Sequence, residues 1–260
     1  MASSKKAFSL ISDTALRQIY VTMLQCRLLA AYAGFAKAKG REAPFAAALI
    51  DARPGDAVFS VQRELAQYMT GSSLMLFAPR SPAPKGTVSP GLSSQITLAT
   101  GLALAHVQKK DSSVLLAFLS GKEEVSSTAE EALRFAGTQK LPVLYIVNSL
   151  SEQGATASYG FPAIPVDVAD AVAMYRVAHE CTVRARQGQG PSMICCTPWI
   201  KKSDPVQNME RYLEAKGLHP DSWKQKTVSR FEQKLKQATS KRSSSIPKWP
   251  TLDLWRQKNS

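Results

Sequence analysis

The sequence predicts an α/β protein in which a parallel sheet carries helices on both faces. Three unbroken apolar runs, at 114–119, 143–147 and 192–196, are separated by helical segments at 126–138 and 168–186. Such runs are typical of parallel strands that are buried on both faces. Strands that alternate with helices are normally joined by right-handed crossovers. Because ligands of such folds bind beyond the carboxyl ends of the strands, we search for a site in the loops that follow the first two runs.

The amino-terminal third is predicted to begin with two helices. Apolar residues recur at helical spacing over 13–39, with Asp13 as the N-cap and Gly40 closing the helix. A second helix is expected from Arg41 to about Ala52. The short segment 56–61 that follows is predicted to be a strand or an extended turn.

Proline marks the next segment as a loop. Residues 78–91 contain Pro79, Pro82, Pro84 and Pro90, which fit neither a helix nor a sheet. Long loops in α/β proteins often cover a binding site. Helical spacing returns over 92–109.

The chain after residue 202 is predicted to form a basic helical tail, separate from a domain at 1–202. One helix is expected from the Ser203-Asp204-Pro205 segment to about Lys216, and another from Pro220 to about Lys236. The last twenty residues are rich in Ser, Lys and Pro, so we expect disorder near the end, with Trp249 and Trp255 as docking anchors.

Composition excludes several classes of protein. The chain has 260 residues, of which 44% are hydrophobic, and it contains no apolar run long enough to span a membrane. No signal peptide is recognised, so a cytoplasmic location is expected. The four cysteines lack CxxC spacing and are predicted to be buried, reduced thiols.

The net charge of +13 is concentrated at the two ends of the chain. The last 45 residues carry 11 basic and 3 acidic side chains. These charges are not interleaved with aromatic residues, so a solvated surface or an acidic partner is favoured over nucleic acid. A basic nucleic-acid-binding or scaffold-binding protein that uses residues 216–260 is kept as an alternative, with salt-dependent affinity as its mark.

Seven segments, in order, resemble the alpha subunits of thiamine-diphosphate-dependent 2-oxo acid dehydrogenases of the pyruvate, acetoin and branched-chain type. The resemblance covers about residues 13–238. It is carried by GREA (40–43), RPGDAVFSVQR (53–63), GSSLML (71–76), LSSQITLATGLALA (92–105), SGKEEVSSTAEEALRFAGTQKLPVLYIVNS (120–149), YGFPAIPVDVAD (159–170) and SDPV (203–206). It implies the thiamine-diphosphate-binding fold.

In that family, thiamine diphosphate is held through a magnesium ion by Gly-Asp-Gly after one strand and Asn-Asn after the next. Magnesium requires hard oxygen ligands. Alignment on the K-L-P segment places Gly121 at the metal-binding aspartate and Leu150 at the amide ligand, so both side-chain ligands are missing. The positions that the resemblance assigns to the cofactor site are Arg63, Ser120, Gly121, Lys122 and Asn148.

Further family residues are absent. The Tyr-Arg pair is Gln62-Arg63, the loop histidine corresponds to Met75, and the second histidine-bearing loop is missing before Ser203. The three histidines of the chain lie in predicted helices (His106, His179) and in the tail (His219). A general acid–base histidine at the cofactor is therefore not expected, and no catalytic residue is assigned.

Two substitutes for the missing ligands stay open. A shifted loop could bring Glu123 to a metal, although Glu123 and Glu124 are favoured as caps of the helix that begins near Ser126. Lys122 and Arg63 could together hold an anion in place of the metal, against the alternative of ordinary surface charge.

The resemblance therefore implies a homologue of the alpha subunit that has lost its catalytic site. Such a chain would act as a folded subunit that pairs with a beta-like subunit or with itself, and thiamine diphosphate and magnesium would not be bound. The alternative is an active oxidoreductase that decarboxylates a 2-oxo acid and transfers the product to a lipoyl carrier.

Overall fold

The computed structural model describes residues 11–32, 42–60, 90–108, 112–121, 123–148, 158–197 and 203–243. The predictions for Gly40, for most of the proline-rich loop and for Trp249 and Trp255 lie outside these ranges.

A five-stranded parallel sheet forms the centre of the fold and confirms the predicted class. Its strands, in chain order, are β1 (Ala57–Ser60), β2 (Leu115–Ser120), β3 (Val143–Asn148), β4 (Ala163–Asp167) and β5 (Ser192–Thr197). They pair in the order β1-β2-β3-β5-β4, and every pairing is parallel. The three predicted apolar runs are the three central strands, because only central strands are covered on both faces.

Seven helices occur within the described ranges. They are α1 (Asp13–Tyr32), α2 (Glu42–Leu49), α3 (Leu92–Val107), α4 (Ser127–Thr138), α5 (Ala171–Arg186), α6 (Pro205–Ala215) and α7 (Asp221–Ser243). None of these helices is apolar over a stretch long enough to cross a bilayer. The predicted N-cap of α1 is wrong by one residue, because the Ser12 hydroxyl accepts the Ala15 N–H at 3.2 Å while Asp13 is already helical.

Alternate residues of the central strands point to opposite faces of the sheet and belong to two separate hydrophobic cores. Leu116, Phe118 and Ile146 point to the face covered by α2, α5 and α7. Leu119 and Tyr145 point to the other face, which α3 and α4 cover. All four cysteines are buried free thiols, as predicted.

The strand β4 was not predicted from its sequence. It lies at one edge of the sheet, where Pro165 is exposed and only Val166 is fully buried. Proline is tolerated on an edge strand because its missing N–H costs no ladder bond on the open side. The segment at 56–61 was predicted to be a strand or an extended turn. Residues 57–60 form a strand, β1, at the other edge of the sheet.

The helix α7 packs on one of these two cores, and α6 belongs to a third hydrophobic cluster, around α1. Phe231 and Leu235 of α7 belong to the core under α5, and Met209 and Leu213 of α6 pack with α1. The helix α7 continues to Ser243, beyond its predicted end near Lys236. The division of the chain at residue 202 stays a prediction.

Two of the family-like segments are joined by one arginine. Arg27 of α1 donates from Nε to Glu42 at 2.8 Å and from Nη1 and Nη2 to Asp204 at 3.0 and 2.9 Å. Asp204 also caps α6 by accepting the N–H groups of Val206 and Gln207. Arg27 thus fixes the starts of α2 and α6 against α1.

A buried ion pair fixes the amino ends of β1 and β2. The Asp56 carboxylate accepts hydrogen bonds from Nη1 and Nη2 of Arg186, at the end of α5. It also accepts hydrogen bonds from the backbone N–H groups of Arg53 and Val114. The two side chains are 3% and 9% exposed. Burial alone would raise the pKa of Asp56, but the hydrogen bonds from Arg186 and the backbone outweigh it and hold this pKa below its ordinary value.

Asp56→Asn should destabilise the protein at neutral pH by about 3 kcal/mol, because it leaves the Arg186 charge buried without its partner. Since the folded-state pKa is depressed, the stabilisation by Asp56 is complete above the unfolded pKa and is lost as the pH falls through the folded pKa. The difference in free energy of unfolding between wild type and variant, measured by chemical denaturation, should therefore become smaller below about pH 4. Asp13→Asn, at an exposed position, is the matched control. A difference in free energy of unfolding that stays constant down to low pH would contradict a stabilising role of the Asp56 charge.

Candidate functional site

The candidate site lies at the carboxyl ends of β2 and β3, where three of the five predicted residues, Ser120, Gly121 and Asn148, come together. Ser120 and Asn148 are partners in the register of the two strands. The N–H of Gly121 points to the carbonyl of Asn148 at 3.4 Å. Asn148 is only 5% exposed, and no hydrogen bond to its side chain is present among the residues that the structure describes.

Gln95 of α3 attaches the end of β2 to the start of α3. Its amide oxygen accepts the Ser120 N–H at 2.9 Å, and its amide nitrogen donates to the carbonyls of Ser120 and Pro90 at 2.8 and 2.7 Å. The side chain is 1% exposed. Sequence reasoning did not single out Gln95, although an amide on the apolar side of a helix needs buried partners of this kind.

Glu123 caps a different helix from the one predicted. Its Oε1 accepts the N–H of Leu92, the first residue of α3, at 2.5 Å. The helix α4 is capped instead by Ser126, whose hydroxyl accepts the Ala129 N–H at 3.4 Å. The prediction that Glu123 and Glu124 cap α4 is therefore wrong for Glu123. The alternative in which Glu123 reaches a metal stays a prediction; in the structure its Oε1 bonds α3.

A second contact holds the same loop to α3. The N–H of Ser126 donates to the hydroxyl of Ser93 at 3.0 Å. The loop between β2 and α4 is thus fixed against the first turn of α3 by both Glu123 and Ser126. The amino terminus of a helix carries positive potential, which favours a carboxylate there.

Gly121 lies in a space that has no room for a side chain. A Cβ atom placed on it would be 2.6 Å from Leu92 Cβ, 2.9 Å from Glu123 Oε2 and 3.1 Å from Glu123 Cδ. Contacts under 3.0 Å require a neighbour to move. An aspartate at 121 would therefore require Leu92 or the backbone of residue 121 to shift, and the Glu123 carboxylate to move.

The remaining predicted positions cannot be placed. Arg63, Lys122 and Leu150 lie outside the described residues, so the structure does not bear on the idea that Arg63 and Lys122 hold an anion. Ser120, Gly121 and Asn148 do come together, and their role in cofactor binding stays a prediction.

No histidine lies in the loops after β2 and β3. His106 is near the far end of α3, roughly 21 Å along the helix axis from Leu92, and its Nδ1 contacts the Ser113 hydroxyl at 3.1 Å. His179 pairs with Asp51 on the surface, and His219 is exposed between α6 and α7.

The thiols at the end of β5 are poor nucleophiles. Cys196 is the register partner of Asn148, and Cys195 precedes it on the opposite face of the sheet. Burial raises the pKa of Cys195 to about 11. Burial, and then the neighbouring Cys195, raise the pKa of Cys196 as well. Both thiols therefore stay protonated near neutral pH.

The chain is similar in sequence to known dehydrogenase subunits. Residues 83–198 match the family described as the dehydrogenase E1 component. The 3-methyl-2-oxobutanoate dehydrogenase subunit alpha of Mycobacterium tuberculosis is 26% identical over 83% of this chain and 71% of its own length.

Two proteins of Bacillus subtilis match shorter stretches. The 2-oxoisovalerate dehydrogenase subunit alpha is 27% identical over 59% of this chain, which spans 58% of that relative. The subunit alpha of acetoin:2,6-dichlorophenolindophenol oxidoreductase is 32% identical over 38% of this chain and 34% of its own length. The chain is a homologue of the E1 alpha subunits of 2-oxo acid dehydrogenases. The resemblance found in the sequence is confirmed.

E1 dehydrogenases depend on thiamine diphosphate, but the described residues of this E1 alpha homologue do not fit the metal that would hold it. The resemblance assigns the metal-binding aspartate to position 121, where Gly121 offers no side-chain oxygen and a Cβ atom would lie 2.6 Å from Leu92 Cβ. Within the described ranges, no three His, Cys, Asp or Glu side chains lie close enough together to bind a metal ion.

Proposed function

We propose that this E1 alpha homologue is catalytically degenerate and acts as a folded subunit that does not bind thiamine diphosphate and magnesium. The observation that carries the proposal is the arrangement at Gly121. The space that a ligating side chain would need is taken by Leu92 and by the Glu123 carboxylate. A neighbouring side chain could replace a single lost metal ligand. Where other atoms also fill the position of that ligand, the loop would have to adopt a different conformation before a metal could bind.

The electrostatics of the edge support the same proposal. In this family a divalent cation would have to neutralise the diphosphate, and residue 121 has no carboxylate of its own to hold that cation. The nearest carboxylate, Glu123, already bonds the Leu92 N–H. Without a cation, an incoming diphosphate would be repelled by this carboxylate.

The surface of α3 supports the role of a subunit. The helix has no Asp, Glu, Lys or Arg over its 16 residues, although half of it faces solvent. In the described residues the exposed large hydrophobic side chains, each between 41% and 54% exposed, all lie on α3 and α4: Leu98, Leu102, Leu104, Val107 and Phe135. Apolar patches of this kind mark protein contacts.

Isothermal titration calorimetry of the chain with thiamine diphosphate should give no saturable heat in the presence of magnesium. The reason is that the metal lacks its ligands at the carboxyl edge. The titration is repeated with a chelator, which separates weak anion binding from metal-dependent binding.

Micromolar binding that requires magnesium would overturn the proposal. It would favour the active enzyme instead, an oxidoreductase that decarboxylates a 2-oxo acid. Reduction of a dye acceptor in the presence of a co-expressed beta-like subunit would then test that activity directly.

The α3 surface is proposed to contact a second copy of the chain when no other subunit is present, because an uncharged face can meet itself across a twofold axis. Analytical ultracentrifugation should show a dimer whose dissociation constant rises at least tenfold in Leu102→Lys, since the new charge would be buried in the interface. Ser229→Lys, which adds the same charge to an exposed position of α7, should leave the dimer unchanged. Equal behaviour of the two variants would contradict the assignment of this face.

A further inference from the structure

A row of three cations runs along the exposed side of α7. Lys226, Arg230 and Lys234 follow one another at intervals of four residues, so they lie about 6 Å apart along the helix axis. All three side chains are exposed, whereas Phe231 and Leu235 of the same helix are buried in the core under α5. The packing of these two apolar residues fixes which side of α7 faces outward.

The row has no partner among the residues that the structure describes. Lys224 of α7 bonds Glu210 at 2.8 Å, but none of the three cations forms an ion pair within the described ranges. No acidic residue stands three or four positions from any of them. Glu232 stands two positions from both Arg230 and Lys234, and residues at that spacing do not face each other on a helix.

The row also works against the stability of α7. Like charges four positions apart destabilise a helix. Arg230 stands in two such pairs, one with Lys226 and one with Lys234. A charged surface that is unpaired in the isolated chain, at a cost to its own helix, is typical of a surface that meets the opposite charge in a complex.

The arrangement fits an acidic helix better than a membrane or a nucleic acid. A helix that lies on a membrane inserts apolar side chains, and the exposed large hydrophobic side chains of the described residues all lie on α3 and α4. Duplex DNA presents two rows of phosphates on either side of a groove that is about 12 Å wide, whereas α7 presents one row of cations. Carboxylates four positions apart on a helix form one row with the same spacing of about 6 Å.

We propose that the exposed side of α7, through Lys226, Arg230 and Lys234, is a docking surface for an acidic helix of a partner protein. Each cation pairs with one carboxylate of a row in which the acidic residues are four positions apart. This inference goes beyond the proposed function, because it holds whether or not the chain binds thiamine diphosphate. The contact is electrostatic, so its affinity falls as the salt concentration rises.

A synthetic alanine-rich helical peptide with glutamate at every fourth position is the probe. Fluorescence anisotropy measures its binding to the full chain at low salt. Arg230→Glu should weaken binding about tenfold, because a negative charge then interrupts the row. The same substitution creates two favourable pairs within α7, so the denaturant midpoint of the variant should be no lower than that of wild type. Loss of binding in a variant of unchanged or higher stability is not caused by unfolding.

Two matched controls separate the row from net charge. Arg176→Glu makes the same charge change at an exposed position of α5 and should leave the affinity close to that of wild type. A peptide of the same composition, with its glutamates distributed around the helix, should bind wild type more weakly than the probe does. Equal weakening by the two variants, equal binding of the two peptides, or no saturable binding of the probe would overturn the inference.

Two further ligands test the choice of partner. Double-stranded DNA and vesicles that contain phosphatidylserine are titrated under the same conditions, and each should bind wild type more weakly than the probe does. Tighter binding of either ligand, lost in Arg230→Glu, would overturn the inference by assigning the exposed side of α7 to a different partner. Magnesium-dependent binding of thiamine diphosphate would overturn the proposed function and leave this result unchanged.

Discussion

The attachment of the end of β2 to the first turn of α3 is the interaction on which the candidate site depends. Gln95 bonds both backbone groups of Ser120, and Glu123 bonds the N–H of Leu92. Because α3 also covers one face of the sheet, its position is fixed by the core as well as by these polar contacts. These contacts therefore fix the end of β2 against α3 at the edge where E1 dehydrogenases are expected to receive a charged cofactor.

The fold could be predicted from the sequence because its central strands are apolar on both faces. Runs such as Val143–Asn148 have no other stable place than the middle of an α/β sheet. The edge strand β4 gave no such signal, since its burial is mixed and Pro165 interrupts the pattern. The helices after residue 202 were predicted, but their packing through Phe231 and Leu235 follows from contacts distant in sequence.

The candidate site could be located from the sequence, but its arrangement could not be derived from it. Alignment placed Ser120, Gly121 and Asn148 together because parallel strands end at one edge. The assignment of Glu123 to α4 was a local argument, and the structure replaced it with a contact to Leu92, 31 positions away in sequence. Propensity and spacing describe neighbours in the chain, whereas the surroundings of Gly121 include Leu92, a neighbour in space.

We propose that the edge of the sheet beside Gly121 and Glu123 does not receive a metal-bound cofactor. A crystal structure grown with saturating thiamine diphosphate and magnesium tests it most directly. The account predicts Glu123 bonded to the Leu92 N–H and no coenzyme between α3 and the end of β2. An intact coenzyme with its ion beside Gly121 and Asn148, and Glu123 turned away from α3, would contradict it.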